Sequence, residues 1–150
     1  MTGFEAQIRT PWAATRVFDY IVDFRNLTEW HAAVYSARLR TLDPGMRNAH
    51  YTLRAKMAGR KVQAEVVTLE VERPTLVVAS ASNPAAETTD RFEITTLPED
   101  EVLVSYTSQM RLKTPVRVIG PLMIGGVKDA WKQSAASLAR QLGATEVKIG

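Results

Sequence analysis

The chain contains no cysteine. Disulfides, thiolate nucleophiles and cysteine-ligated metals are therefore excluded, and the composition suits a reducing compartment. Histidine is nearly as scarce. His31 and His50 are the only two, far apart in sequence and without helical pairing, so a histidine metal site has little support and no metal is expected. His50 falls at the polar phase of its segment and reads as a surface strand residue. No Gly-x-Ser-x-Gly elbow and no nucleotide-binding βαβ pattern occurs. Gly120 to Gly126 superficially resembles a phosphate loop, but Val127-Lys128 stands where Lys-Ser/Thr is required. No cofactor is therefore expected.

Long apolar runs are also missing, so no transmembrane segment is expected. The first residues, Met1-Thr2-Gly3-Phe4-Glu5, lack a basic region followed by an apolar stretch, and the expectation is a soluble, cytoplasmic protein. Without a secretion signal, the Asn26-Leu27-Thr28 sequon carries no meaning. The net charge of +3 falls short of the concentrated charge of a nucleic-acid binder, and no nucleic-acid partner is expected. Acidic residues are lacking from one region only: Arg38, Arg40, Arg47, Arg54, Lys56, Arg60 and Lys61 share it with Asp43 alone. It reads as a solvated sheet face or as a docking patch for RNA, lipid headgroups or an acidic partner.

With 150 residues and 45% hydrophobic content, the chain is long enough for one domain, residues 1–150, with a substantial core. Its organising element is the last long segment, Pro121 to Leu142. At helical spacing Met123, Val127, Trp131, Ser134, Leu138 and Leu142 form one stripe, which needs a broad apolar surface to lie on. Gly125-Gly126 inside it marks a bend or a close approach. Gly143 supplies the stop, and Ala144 to Gly150 reads as a tail.

Almost everything before that helix alternates with period two. Phe4, Ala6 and Ile8 alternate with polar residues in a first strand. Thr10 then reads as a cap and Pro11 as the opening of a helix that buries Ala14, Val17, Phe18 and Ile21 and ends at Asp23-Phe24. Asn26 to Glu29 has capping-box spacing for a second short helix carrying Leu27 and Trp30. A strand over Val34 to Leu42 follows, then a turn at Asp43-Pro44-Gly45. The next strand sets Tyr51, Leu53, Ala55 and Met57 on its buried face. A four-residue loop over Ala58 to Lys61 avoids facing Lys56 with Lys61 and pairs Met57 with Val62, Ala55 with Ala64, Leu53 with Val66 and Arg54 with Glu65. The apolar phase then slips from Val62, Ala64 and Val66 to Val67, Leu69 and Val71, which predicts a β-bulge and a curved sheet. Leu76 to Ser82 is a strand between turns at Arg73-Pro74 and Asn83-Pro84. In the last hairpin, around Leu97 to Glu101, Thr96 meets Val102, Ile94 meets Val104, Phe92 meets Tyr106 and Asp90 meets Ser108. All eight face inward, and Met110 and Leu112 extend that face.

Polar or soft groups therefore interrupt apolar stripes at Tyr51, Asp90, Tyr106, Ser108, Met57, Met110, Met123 and Trp131. An inward carboxylate is expensive unless hydrogen-bonded, so Asp90 either pairs with Ser108 as a structural unit or reaches a ligand group. Each of the others is compatible with ordinary core packing, and convergence is what points to a pocket.

The segment Phe18-Asp19-Tyr20-Ile21-Val22-Asp23-Phe24-Arg25-Asn26-Leu27-Thr28-Glu29-Trp30, with the Pro44-Gly45 turn and Glu72-Arg73-Pro74, resembles the START-like superfamily, also called SRPBCC, in its polyketide cyclase/dehydrase and lipid-transport branch. The resemblance implies an α+β helix-grip fold, a curved antiparallel sheet of about seven strands around a long C-terminal helix with two short helices after the first strand. It also implies a cavity for a hydrophobic small molecule. Aromatase/cyclases of the group shape a poly-β-keto chain and shuttle protons with inward tyrosine, arginine or acidic groups. Tyr51, Tyr106 and Asp90 are the counterparts here, while Arg54 reads outward and no arginine has a clearly inward phase.

The resulting expectation is a binding protein for a lipid, polyketide or other aromatic or isoprenoid ligand. Its expected contacts are Tyr51, Leu53, Met57, Asp90, Phe92, Tyr106, Ser108 and Met110 of the sheet and Met123, Val127 and Trp131 of the helix. One alternative is a cyclase or dehydratase with Asp90 or Tyr106 as proton donor or acceptor. The other is a partner-binding module using the basic region. The sequence leaves homodimerisation open.

Overall fold

The computed structural model of the chain describes residues 2–41, 43–57, 59–113 and 120–150. Strand β1 (Thr2–Thr10) is followed by helix α1 (Ala14–Val22), a 3-10 turn (Phe24–Asn26) and the one-turn helix α2 (Leu27–Trp30). Strands β2 (Val34–Thr41), β3 (His50–Met57), β4 (Arg60–Glu72), β5 (Leu76–Ser82), β6 (Ala86–Thr96) and β7 (Val102–Leu112) then run to helix α3 (Gly120–Gln141) and strand β8 (Glu146–Ile149). All strands join one antiparallel sheet in the order β2-β3-β4-β5-β6-β7-β1-β8. The sheet is curved, and α3 lies on its inner face, the α+β arrangement expected.

The stripe on α3 does what its spacing requires. Trp131, Ser134, Leu138 and Leu142 are buried, joined by Ala135 and Ala139, and Val127 packs half-buried against the core. The Ser134 hydroxyl accepts the Ala32 N–H at 2.9 Å, tying the helix to the α2–β2 connection. The helix starts one residue before Pro121 and runs unbroken through Gly125-Gly126. Its stop is built by Gly143 at φ +63°, with Ala144 N–H donating back to the Ala139 carbonyl at 2.9 Å.

Several expectations need correction. Ala144 to Gly150 is no tail: β8 pairs with β1, Ile8 opposite Val147, and covers an edge that would otherwise stay open. Thr10 does not cap α1, which begins at Ala14. Its hydroxyl donates instead to the Leu142 carbonyl and accepts the Trp12 N–H at 3.1 Å, which holds the end of α3 against β1. The second helix forms at the expected residues, but no capping box closes it: the Asn26 amide donates to the Tyr20 carbonyl at 2.8 Å, and Glu29 accepts from the Tyr20 hydroxyl.

The β3–β4 hairpin is tighter than expected. Met57 pairs with Arg60, Ala55 with Val62, Leu53 with Ala64 and Arg54 with Gln63, and Lys56 does face Lys61. Both lysines are exposed, where like-charge repulsion is weak, and Gly59 takes the positive φ of +76°. The bulge in β4 exists but sits later, between Thr68 and Glu70, so Thr68 keeps the inward phase of Val66 and Leu69 is the residue left exposed. In the β6–β7 hairpin every expected pair is present, although Thr96 at its end is exposed.

Candidate functional site

Because all neighbours are antiparallel, and β4 to β7 and β1 keep one register up to the bulge after Thr68, inward side chains line up in rows across these strands. Val77, Phe92, Tyr106 and Ala6 make one row, and Val66, Ala81, Thr88 and Met110 make another. Between them runs Thr68 on β4, Ala79 on β5, Asp90 on β6, Ser108 on β7 and Phe4 on β1. The middle row is the polar one.

The Phe92 row is closed by aromatics. Tyr106 stacks on Phe92 with centroids 4.6 Å apart and planes 14° apart, and Trp30 of α2 meets both rings edge-on at 5.9 and 6.1 Å. Phe4 meets Tyr106 edge-on at 6.0 Å and stacks on Trp131 of α3 at 5.7 Å. Offset and edge-on contacts of this kind add to the burial of the rings. On the other side of the polar row cover is thinner. Val62, Ala64, Ala81, Thr88, Leu112 and Val127 are half-buried. The inner face is thus sealed at the aromatic end and less tightly covered beyond it.

Asp90 stands at the boundary. Its Oδ1 is shielded from water and has no hydrogen-bonding partner, and the same holds for Ser108 Oγ directly opposite. Asp90 and Ser108 do not meet in good hydrogen-bond geometry, although the Ser108 hydroxyl is close enough to hold the carboxyl down in part against the burial effect. Desolvation pushes the Asp90 carboxyl up to about 6. Tyr106, diagonal to it, is raised well above the usual phenol range by burial first and by the Asp90 charge second. Every described arginine is exposed. The one half-buried described lysine, Lys113, is held by Ser82 Oγ at 2.8 Å and the Asn83 carbonyl at 2.7 Å. Among the described residues, no cation reaches the inner face.

Of the expected contacts, Phe92, Tyr106, Ser108, Asp90, Met110 and Trp131 converge on these rows. Leu53 is buried on β3. Tyr51 extends the Val66 row on β3 and is fully buried; its ring meets Phe24 edge-on at 5.6 Å and its hydroxyl donates, at a long 3.4 Å, to the Val22 carbonyl. The side chains of Met57 and Met123 lie outside the described residues. Two residues were missed. Thr68, whose buried Oγ1 also lacks a partner, lies inward because the bulge falls after it, where the apolar side chains of Val67 and Leu69 suggest an earlier slip. His31 adjoins the cluster through Trp30, its Nδ1 accepting the Ala33 N–H at 3.1 Å, and burial pushes it down to about 4, so it is neutral. His50, by contrast, sits half-buried with Nε2 2.7 Å from Glu65.

The basic region lies elsewhere, with Arg38, Arg40, Arg54, Lys56, Arg60 and Lys61 exposed on and around β2 to β4. Two clefts, of about 90 and 370 Å³, flank β8, and neither includes a site residue named above. Among the described residues no group of three or more His, Asp or Glu could hold a metal ion, and no helix is long and apolar enough to cross a membrane.

Comparison with known proteins places this geometry. Residues 1–143 match the family described as polyketide cyclase / dehydrase and lipid transport. No curated protein matches the chain. Among solved structures, a START superfamily protein from Mycobacterium smegmatis superposes with a TM-score of 0.75 at 14% identity, over 93% of this chain and 96% of that one. The Zhui aromatase/cyclase from Streptomyces sp. R1128 gives 0.77 at 10% identity, covering 94% and 93%. The di-domain aromatase/cyclase BexL gives 0.69 at 16% identity, with 97% of this chain on 51% of that one.

Proposed function

This chain belongs to the polyketide cyclase/dehydrase and lipid transport family, and we propose that it binds a hydrophobic small molecule, a lipid, polyketide or other aromatic or isoprenoid compound, between the inner sheet face and α3. The observation that carries the reading is Asp90. A shielded carboxylate oxygen without a partner, beside an aromatic wall, works against folding, since such a group costs free energy that an apolar residue would not. A ligand group that reaches it turns that cost into affinity. Phe92, Tyr106 and Trp131 supply the rigid apolar wall, and Val127 of α3 packs half-buried against the same core.

The test is uptake of the neutral probe N-phenyl-1-naphthylamine by the full chain, read as saturable fluorescence enhancement. Val127→Trp adds bulk to the core-facing side of α3 and should weaken uptake at least tenfold while circular dichroism is unchanged. Unchanged uptake in the variant would put the ligand somewhere else, and no uptake by the parent chain would reject the binding reading.

A second reading is favoured by one specific feature, a base and an acid on adjacent rows. Asp90, raised to about 6, is mostly ionised at neutral pH yet readily protonated, and Tyr106 stays a neutral phenol. That combination fits proton abstraction beside a carbonyl with donation to the enolate oxygen. Two neighbours at 10% and 16% identity are described as aromatase/cyclases, which places cyclase-type chemistry among the activities to test.

A further inference from the structure

The orphaned polar atoms are not scattered. Thr68 Oγ1, Asp90 Oδ1 and Ser108 Oγ are buried side-chain oxygens without a hydrogen-bonding partner, and all three fall in one cross-strand row, broken only by the methyl of Ala79. The ladder fixes their spacing: with strands about 4.8 Å apart, Ser108 lies about 5 Å and Thr68 about 10 Å from Asp90 along the row. Buried polar groups are normally satisfied, and three exceptions aligned on one inner face describe the polar half of a ligand.

Charge narrows the class. An ionised Asp90 accepts hydrogen bonds and cannot donate, while the two hydroxyls do either. Among the described residues no cation faces the row, so an anionic headgroup would meet Asp90 uncompensated in a poorly screened setting. We infer that the ligand is an uncharged apolar molecule bearing hydroxyl groups set to reach the row of Thr68, Asp90 and Ser108, and that anionic lipids such as fatty acids are selected against. The inference rests on the binding reading above and adds the polar chemistry of the ligand.

Three rigid probes of one size separate the outcomes: naphthalene-2,6-diol, 2,6-dimethoxynaphthalene and 6-hydroxy-2-naphthoate, titrated calorimetrically into the full chain at pH 7.5. The diol should bind at least tenfold more tightly than either of the others. Thr68→Val and Asp90→Asn, both close to isosteric, should each shrink the ratio of diol to dimethoxy affinity severalfold, and Asp90→Asn should raise affinity for the naphthoate. Equal binding of diol and dimethoxy compound, or of diol and naphthoate, overturns the inference while leaving a hydrophobic site in place. Failure of all three to bind overturns both the inference and the binding reading.

Discussion

Replacing Asp90 by asparagine should make the folded chain more stable at neutral pH, an unusual result for a buried position. Burial raises the carboxyl from an ordinary value of 3.8 to about 6. At about 1.4 kcal/mol per unit, that shift of about two units corresponds to about 3 kcal/mol of destabilisation by the ionised form. The amide of asparagine would keep the shape but leave its own polar atoms unpartnered, at about 1 to 2 kcal/mol, so the expected net gain is about 1 to 2 kcal/mol. The pH dependence follows from the sign of the shift. A carboxyl raised on folding binds its proton more tightly in the folded chain, so the penalty is absent below about 3.8, grows as pH rises from there to about 6, and is complete above. Asp90→Asn should therefore be more stable than the parent at pH 7.5 and no more stable at pH 4. His31, held down at about 4, opposes this: the parent loses stability as pH falls from 6.5 towards 4. That loss is common to both proteins and cancels in their difference. Urea denaturation followed by tryptophan fluorescence at the two pH values measures the difference. A variant less stable at pH 7.5, or a difference independent of pH, would refute the claim that Asp90 is an unpaired buried carboxylate.

Two further outcomes probe the frame and the chemistry. Gly143→Ala must hold alanine at φ +63° with its Cβ 3.2 Å from Trp12 Nε1, so it should lose about 1 to 2 kcal/mol, seen as a lower thermal midpoint, whereas Gly59→Ala, with open space around it, should lose only the conformational part. If the second functional reading holds, Asp90→Asn and Tyr106→Phe should each abolish turnover of a polyketone model compound followed by chromatography, and equal turnover in either variant would remove that residue from the chemistry.

How much of this was legible in the sequence depended on whether one strong constraint acted alone. The β6–β7 register could be read because the Leu97–Glu101 loop leaves one pairing that puts Ile94, Phe92, Val104 and Tyr106 on the same side. In β3–β4 two weak terms competed. Repulsion between exposed Lys56 and Lys61 argues for a longer loop, and the ease with which Gly59 closes a short turn outweighs it. Thr68 was lost for a related reason. The apolar side chains of Val67 and Leu69 look like a new inward phase, yet the bulge comes after Thr68 and leaves Leu69 outside, so hydrophobicity pointed to the wrong residue by one position. For Asp90 the sequence leaves two alternatives, pairing with Ser108 or reaching a ligand group, because facing residues on neighbouring strands are close. Hydrogen-bond geometry is not carried by register, and both oxygens remain unpartnered.

The division of labour between sheet and helix makes size and polarity of the ligand separable. Thr68, Asp90 and Ser108 belong to β4, β6 and β7, whose positions are held by backbone ladders through β5, the β4 bulge falling just after Thr68, so the spacing of the polar atoms resists substitutions elsewhere. The apolar cover comes from the opposite layer, where Val127 and Trp131 project from α3 and the Ser134 to Ala32 hydrogen bond fixes the height of the helix above α2. Bulk added at Val127 changes what fits, while a change in the row alters which polar groups are accepted. Because the two sets share no hydrogen bond, their effects on binding add unless the ligand touches both at once. A departure from additivity between Val127→Trp and Thr68→Val, measured with the diol, would therefore show that one ligand spans from α3 to the polar row.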